Sequence, residues 1–262
     1  MAGLWPGTLI NGGGAAVFLI LTCFCLPRLR EVSGRGLLGA LMGGFSVALY
    51  GWALAETQIS KAVLLFYLTP IWSLMLERIF YGRRLSPLSI GLILVAFTGI
   101  LFLFEWQFDF SVWSLGDTCA LLAGGTWSVS LMFIFSSPRA QPPLPLSALI
   151  LLAATVTGLI LLALPGGAGG TGVVLTRQTL WLAVLFGGLY LGPTLWMTVW
   201  VANRLAPSVL CLLLTAEIVA ALATSAWIKG EAFGTHQFIG SILVVVSGTF
   251  LGLVSAAHPK AD

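Results

Sequence analysis

Charged residues and histidine are scarce in this chain, and their scarcity excludes several classes of protein. Of 262 residues, 12 are Lys or Arg, 9 are Asp or Glu and 2 are His. Soluble domains carry about a quarter charged residues, so an ordinary soluble fold is excluded. The net charge of +3 is small and dispersed, which argues against a nucleic-acid partner. Histidine-based metal or triad chemistry is unsupported, and neither a cofactor nor a bound metal is expected.

Two signatures of energy-driven or channel-mediated transport are also absent. The sequence contains no G-x-x-x-x-G-K-[ST] loop, so this chain is not expected to use ATP. It contains no TVGYG-like filter of the kind that potassium channels use. These absences argue against an ATP-driven transporter and against a potassium channel.

Long apolar runs are the main feature that the sequence does have. Hydrophobic residues make up 58% of the chain, and the mean hydropathy is +1.03. A helix rises ~1.5 Å per residue, so ~20 apolar residues cross the ~30 Å hydrocarbon layer of a bilayer. The sequence therefore predicts an all-α integral membrane bundle with nine spans: 7–26, 35–55, 61–80, 86–104, 115–135, 144–164, 178–200, 207–228 and 235–256.

Basic residues are unevenly divided between alternate connectors. Nine belong to one set of connectors and three to the other; the three are Lys61, Arg177 and Lys229. The positive-inside rule places the richer set in the cytoplasm. We therefore predict a cytoplasmic C-terminus and, with nine spans, an N-terminus on the outer side.

The sequence repeats internally. Gly43-Gly44 and Trp52 recur as Gly187-Gly188 and Trp196 at an offset of 144 residues. The alignment predicts a first repeat over 1–110 with four spans and a second over 111–262 with five, helix 115–135 having no counterpart. An odd number of spans per repeat gives copies of opposite orientation. The expected architecture is thus an inverted five-plus-five bundle that lacks the first helix of repeat one, with an uncovered groove beside helices 35–55 and 61–80.

Polar and aromatic residues mark equivalent faces of two helices in the two repeats. Ser46 and Tyr50 lie one turn apart, and Tyr190 and Thr194 are their mates at offset 144. Such residues can hydrogen-bond between packed helices or line a cavity. We predict a substrate cavity with the lining residues Ser46, Tyr50, Tyr67, Trp127, Tyr190, Thr194 and Glu217.

Glu217 is the carboxylate that the sequence places near the middle of a span. A carboxylate in lipid costs ~2.5 kcal/mol or more, so Glu217 is expected to face a cavity or a partner, or to carry a proton. Structural pairing, binding of a substrate ammonium group and proton coupling remain open.

Prolines and glycines within the predicted spans mark kinks and close contacts. Pro70 and Pro193 remove a backbone hydrogen bond each and are expected to kink their helices. Four glycines at paired spacings predict close helix packing, between repeats or at a homodimer contact: Gly91, Gly99, Gly240 and Gly248.

Several of these segments resemble a known family. Lys61–Pro70, Gly82–Ser86 and Gly91 in the first copy, and Leu214–Glu217 and Gly230–Phe233 in the second, are similar to the EamA repeat of the drug/metabolite transporter superfamily. Pro27–Arg30 and Phe66–Pro70 resemble YddG-type exporters of aromatic amino acids. The resemblance implies alternating-access export of amino acids or related metabolites across a bacterial cytoplasmic membrane.

Two alternatives to amino acid export stay open at this stage. The first is a proton-coupled antiporter of small apolar cations, with Glu217 as the exchange site. The second is a membrane-embedded enzyme, for which Ser128 and Ser130 beside Trp127 are the nearest candidates. No histidine is available to activate either serine, so the chain is not expected to be an enzyme.

Overall fold

A computed structural model describes residues 5–24, 30–82, 87–106, 112–163, 176–229 and 234–256. All regular secondary structure within these ranges is helical. The helices are α1 (Trp5–Cys23), α2 (Gly34–Glu56), α3 (Ile59–Phe66), α4 (Thr69–Tyr81), α5 (Pro87–Leu103), α6 (Leu115–Phe135), α7 (Pro143–Ala163), α8 (Arg177–Phe186), a π-helical turn (Gly187–Leu191), α9 (Gly192–Ala202), α10 (Pro207–Leu214), α11 (Ala216–Lys229) and α12 (Thr235–Ala256).

The helices have the lengths and composition of a multi-pass membrane protein. Among the described residues, seven helical stretches are long and apolar enough to cross a bilayer, and the apolar helices Pro87–Leu103 and Thr235–Leu251 are shorter. Together they coincide with the nine predicted spans, which confirms the predicted fold class. The sequence motifs that include 25–29, 83–86 or 230–233 lie outside the described residues.

Three of the predicted spans are interrupted near their middles. Between α3 and α4 the helix breaks at Tyr67 and Leu68, where Pro70 has no N–H to continue the hydrogen-bond ladder. Between α10 and α11 it breaks at Thr215, without a proline at the equivalent position. Between α8 and α9 the interruption is a π-helical turn just before Pro193, where the Gly192 N–H donates to the Gly187 carbonyl.

The core of the bundle lies where α2 packs along α6 and α7. Ala40, Leu131 and Ile150 are buried there with side chains from α9 and α10. Hydroxyl groups join the helices within this core, because Ser130 donates to the Gly39 carbonyl oxygen at 2.7 Å. The same core supports one wall of the cavity described below.

Two of the four predicted packing glycines make a close contact. A Cβ on Gly99 would lie 2.9 Å from the Gly240 carbonyl oxygen, and one on Gly240 would lie 2.6 Å from the Gly99 oxygen, so α5 and α12 touch backbone to backbone. A Cβ on Gly91 meets nothing within 4 Å, and one on Gly248 makes only an ordinary contact at 3.4 Å. Gly91 therefore makes no close contact within the described part of the chain, and a homodimer contact at this residue stays a prediction.

The groove that was expected beside helices 35–55 and 61–80 is occupied by α6. Helix α6 packs against α2, α3 and α4 and covers them. Exposed apolar residues lie on the outward faces of several helices, Leu189, Met197 and Trp227 among them.

Candidate functional site

A cavity of about 380 Å³ lies between the interrupted helices. Its walls come from α2, α3, α6, the π-helical turn, α9, α10 and α11, with Tyr67 and Thr69 contributing from the break between α3 and α4. Six of the seven predicted cavity residues line it: Ser46, Tyr50, Tyr67, Trp127, Thr194 and Glu217. Tyr190 is exposed beside it and reaches it through a hydrogen bond to Glu217.

Aromatic rings form one wall of the cavity. The Tyr50 and Phe66 ring centroids are 4.3 Å apart, and the Tyr67 ring meets Phe66 edge-on at 5.3 Å. Aromatic groups favour such offset and edge-to-face contacts, and a flat apolar ligand can extend the stack. The sequence analysis did not include Phe66 among the cavity residues, although Phe66 directly precedes the predicted Tyr67.

The cavity holds one carboxylate and no cationic side chain among its described lining residues. Glu217 lies in the first turn of α11, where the unpaired N–H groups and the helix dipole favour a negative charge. Its Oε1 accepts a hydrogen bond from the Tyr190 hydroxyl at 3.3 Å. The break at Thr215 thus creates the helix N-terminus that carries the acidic group of the site.

Hydroxyl groups of the predicted polar stripe are engaged by the backbone. Ser46 donates to the Ala123 carbonyl oxygen of α6 at 2.7 Å. Thr194 donates to the Tyr190 carbonyl oxygen at 2.8 Å, and Thr198 donates to that of Thr194 at 2.9 Å. These side chains therefore serve packing, and they offer the cavity their acceptor lone pairs rather than their protons.

The cavity is open at one end of the bundle and closed at the other. Ile59, at the start of α3, lines the open end and is exposed. At the other end α4 packs against α10, and the Ser73 hydroxyl lies 3.2 Å from the Cys211 sulfur. One turn further along α4, Glu77 Oε1 accepts a hydrogen bond from the Ser208 N–H at 2.8 Å. All four residues are buried, and we call this contact the α4–α10 seam.

A buried ion pair stands beside the open end. Lys61 Nζ lies 2.7 Å from Asp117 Oδ2, and both side chains are almost completely buried. Asp117 also accepts hydrogen bonds from the Thr57 hydroxyl and the Ser114 N–H, at 2.7 and 2.6 Å, and Lys61 donates to the Val112 carbonyl at 2.9 Å. The pair and its hydrogen bonds connect the end of α2 and the start of α3 to the start of α6.

Besides Glu217, the structure describes two carboxylates near the ends of helices that the sequence analysis did not single out. Glu77 and Asp117 are buried, whereas Glu217 is exposed to the cavity and its opening. Lys61 was interpreted as a charge in a connector, yet it is buried as well. All three charged groups lie at or near the ends of helices, where the sequence alone does not distinguish a connector from a buried contact.

The two serines considered for an enzyme site are both structural. Ser128 is buried and donates to the Thr69 and Gly124 carbonyl oxygens, at 3.0 Å each. Ser130 is buried and donates to Gly39. A nucleophilic serine needs a base within hydrogen-bond reach, and neither hydroxyl is paired with one. Within the described residues no group of three or more His, Cys, Asp or Glu side chains could hold a metal ion.

Comparisons with known proteins give a family match over part of the chain and a likeness in fold over nearly all of it. Residues 8–105 match the model of the EamA-like transporter family, and this stretch lies within the predicted first repeat. A crystal structure whose title states no function superposes with a TM-score of 0.75 at 19% identity, covering 98% of this chain and 89% of the other, which supports the fold alone. No curated protein matches the chain. The matched stretch is thus similar to part of an EamA-like transporter, and the structural likeness supports a multi-pass helical fold.

Proposed function

We propose that this protein is a secondary transporter that works by alternating access between two inverted repeats, 1–110 and 111–262. Helix contacts across the bundle support the repeat. The internal alignment pairs span 7–26 with 144–164, 61–80 with 207–228 and 86–104 with 235–256. The contacts α1–α7, α4–α10 and α5–α12 each join two helices that are paired in this way. The α2–α7 contact likewise has a counterpart in the α1–α8 contact. Two such halves can rock about a site between them.

The cavity and the α4–α10 seam support an outward-open resting state. The α4–α10 seam lies at the end where Arg35 and Arg204 are found, which the charge bias assigns to the cytoplasm. The open end, with Ile59 and the Lys61–Asp117 pair, then faces outward in a bacterial cytoplasmic membrane. The change from this outward-open state to an inward-open one requires α4 and α10 to separate and the outer halves, α3 and α11, to approach each other.

The lining of the cavity supports a substrate that carries an ammonium group on an apolar or aromatic body. Glu217 supplies the single negative charge, and the Tyr50–Phe66–Tyr67 wall supplies stacking surface. Amino acids and related metabolites, aromatic ones above all, have this chemistry, and we infer that the direction is export. The observation that carries the proposal is the carboxylate opposite an aromatic wall in a cavity between the repeats.

Small apolar cations are the second candidate substrate class. The described lining residues include no Lys, Arg or His that could pair with a substrate carboxylate. A cation without a carboxylate would satisfy Glu217 and leave nothing unpaired. Exchange of such a cation for protons at Glu217 would give proton-coupled antiport.

Transport of an indole series separates these candidates. Proteoliposomes would be tested with labelled tryptophan, tryptamine and indole-3-propionate, which share a ring and differ in their charged groups. We expect tryptophan and tryptamine to be carried and indole-3-propionate to be excluded, because only the first two present an ammonium group to Glu217. Transport of tryptamine alone would favour the apolar-cation candidate. Transport of none of the three, or of indole-3-propionate alone, would refute the proposed recognition.

Replacing Glu217 by Gln tests the carboxylate itself. The variant keeps the shape and the hydrogen bond from Tyr190 but loses the charge, so we expect apparent substrate affinity to fall about tenfold or more. The matched control is Glu56→Gln, which neutralises an exposed carboxylate at the end of α2 outside the lining. Equal transport by Glu217→Gln and the native protein at every substrate concentration would reduce Glu217 to a structural hydrogen-bond acceptor.

A further inference from the structure

A second pocket lies at the inner end of the bundle, away from the transport cavity. It encloses about 220 Å³ between the start of α2 and the ends of α4 and α6. Leu76 and Phe80 of α4 and Met132 and Phe133 of α6 form apolar walls, and Arg35 of α2 lies at its edge. We call this the Arg35 pocket.

Arg35 presents unused hydrogen-bonding capacity to this pocket. Its Nη1 donates to the Ser136 carbonyl oxygen at 2.7 Å, which orients the exposed guanidinium. A guanidinium has five N–H donors in a planar fork that matches phosphate. Among the described residues, the pocket lining contains no acidic side chain. The Arg35 guanidinium therefore lies at the edge of an apolar pocket whose described lining residues include no carboxylate.

The position of the pocket selects a lipid as its occupant. Its walls lie within the last turns of α4 and α6, at the level where a bilayer changes from acyl chains to head groups. Ile79 and Phe80 beside it are 72% and 65% exposed, so this side of α4 faces the membrane. Basic pockets between helices on the cytoplasmic side are suited to anionic head groups.

We propose that the Arg35 pocket binds an anionic phospholipid of the inner leaflet. The phosphate pairs with the Arg35 guanidinium, and one acyl chain lies against Leu76, Phe80 and Met132. The proposal rests on the membrane fold and is independent of the transported substrate. It also has a mechanical consequence, because α4 carries Leu76 and Phe80 toward the lipid and Glu77 toward α10. A lipid bound in this pocket holds α4 in its contact with α10.

Native mass spectrometry of the purified full chain tests the proposal with phosphatidylglycerol and phosphatidylcholine. We expect the native protein to retain phosphatidylglycerol in preference, and Arg35→Gln to retain it about tenfold less well, since a charge-assisted bond is lost. Val129→Phe, which fills the pocket from α6 and keeps Arg35, should reduce retention of both lipids. Circular dichroism of each variant shows whether it is folded before its lipids are compared.

Arg204→Gln is the matched control. Arg204 is also at the inner end, donates to the Trp200 carbonyl oxygen at 2.7 Å and stacks 3.8 Å from the Trp200 ring. Its removal should leave phosphatidylglycerol retention unchanged. An equal loss in Arg204→Gln and Arg35→Gln would mean that any interfacial cation attracts the lipid, and unchanged retention in Arg35→Gln would also overturn the proposal.

Discussion

Transport should stop completely when residue 73 is converted to cysteine and cross-linked to the native Cys211. The Ser73 hydroxyl already lies 3.2 Å from the Cys211 sulfur, so the two side chains are neighbours and Ser73→Cys brings a second sulfur next to the first. The cross-link would join α4 to α10 and keep the inner end of the cavity closed. Because the proposed cycle requires these helices to separate, the oxidised protein should bind substrate from the outer side and carry none across. The measurement is the initial rate of transport in proteoliposomes, for the best substrate of the indole series, before and after oxidation.

The design of this experiment separates the α4–α10 seam from the transport function. The background is a chain in which Cys23, Cys25 and Cys119 are replaced by serine, and Ser73→Cys with Cys211→Ser is the matched control that cannot cross-link. Reduction should restore the rate of Ser73→Cys, and oxidation should leave the control unaffected. Cross-linked protein that transports at the reduced rate would show that α4 and α10 need not separate. Absence of transport in every reduced sample would instead count against the proposed function.

Loss of one partner of the Lys61–Asp117 pair should destabilise the protein by about 3–5 kcal/mol, because an uncompensated charge is left buried. Lys61→Met and Asp117→Leu are the single variants, and the free energy of unfolding in detergent is the measurement. The double variant should recover most of the loss, since replacing both partners by apolar groups removes the desolvation penalty together with the attraction.

Arg177→Gln provides the reference for this series. It removes an exposed charge at the start of α8, also at the outer end, and should change stability by no more than about 0.5 kcal/mol. Single variants that behave like Arg177→Gln would mean that water reaches the pair in the folded protein. A double variant as unstable as the single ones would mean that the hydrogen bonds from Thr57 and Ser114, rather than the ion pair, hold this end together.

The helical architecture was predictable because it depends on local composition. Runs of about 20 apolar residues fix the number and position of spans with little reference to the rest of the chain. The break at Pro70 was likewise local, since a proline removes its own hydrogen bond. The break at Thr215 has no such residue, and only the packing of α10 and α11 reveals it.

The site was predictable where one helix face determines it and unpredictable where several helices meet. Ser46 and Thr194 follow from the spacing of polar residues along a helix, and both line the cavity. Lys61 and Asp117 could not be paired from the sequence, because they begin different spans and their burial depends on how α3 and α6 meet. Glu77 was missed for the same reason, since its partner is a backbone N–H on another helix.

In the proposed two-repeat architecture, Glu217 also makes the cavity one-sided. At the offset of 148 residues that relates Gly82 to Gly230, the residue that corresponds to Glu217 is Thr69, which lines the cavity but carries no charge. A substrate held by its ammonium group therefore has one preferred orientation, with its charge toward the second repeat and its ring toward the first. The halves keep this asymmetry as they rock. The inward-open and outward-open states are therefore not equivalent by symmetry and need not have equal free energy. In the proposed cycle, this asymmetry contributes to the free-energy difference between the two states.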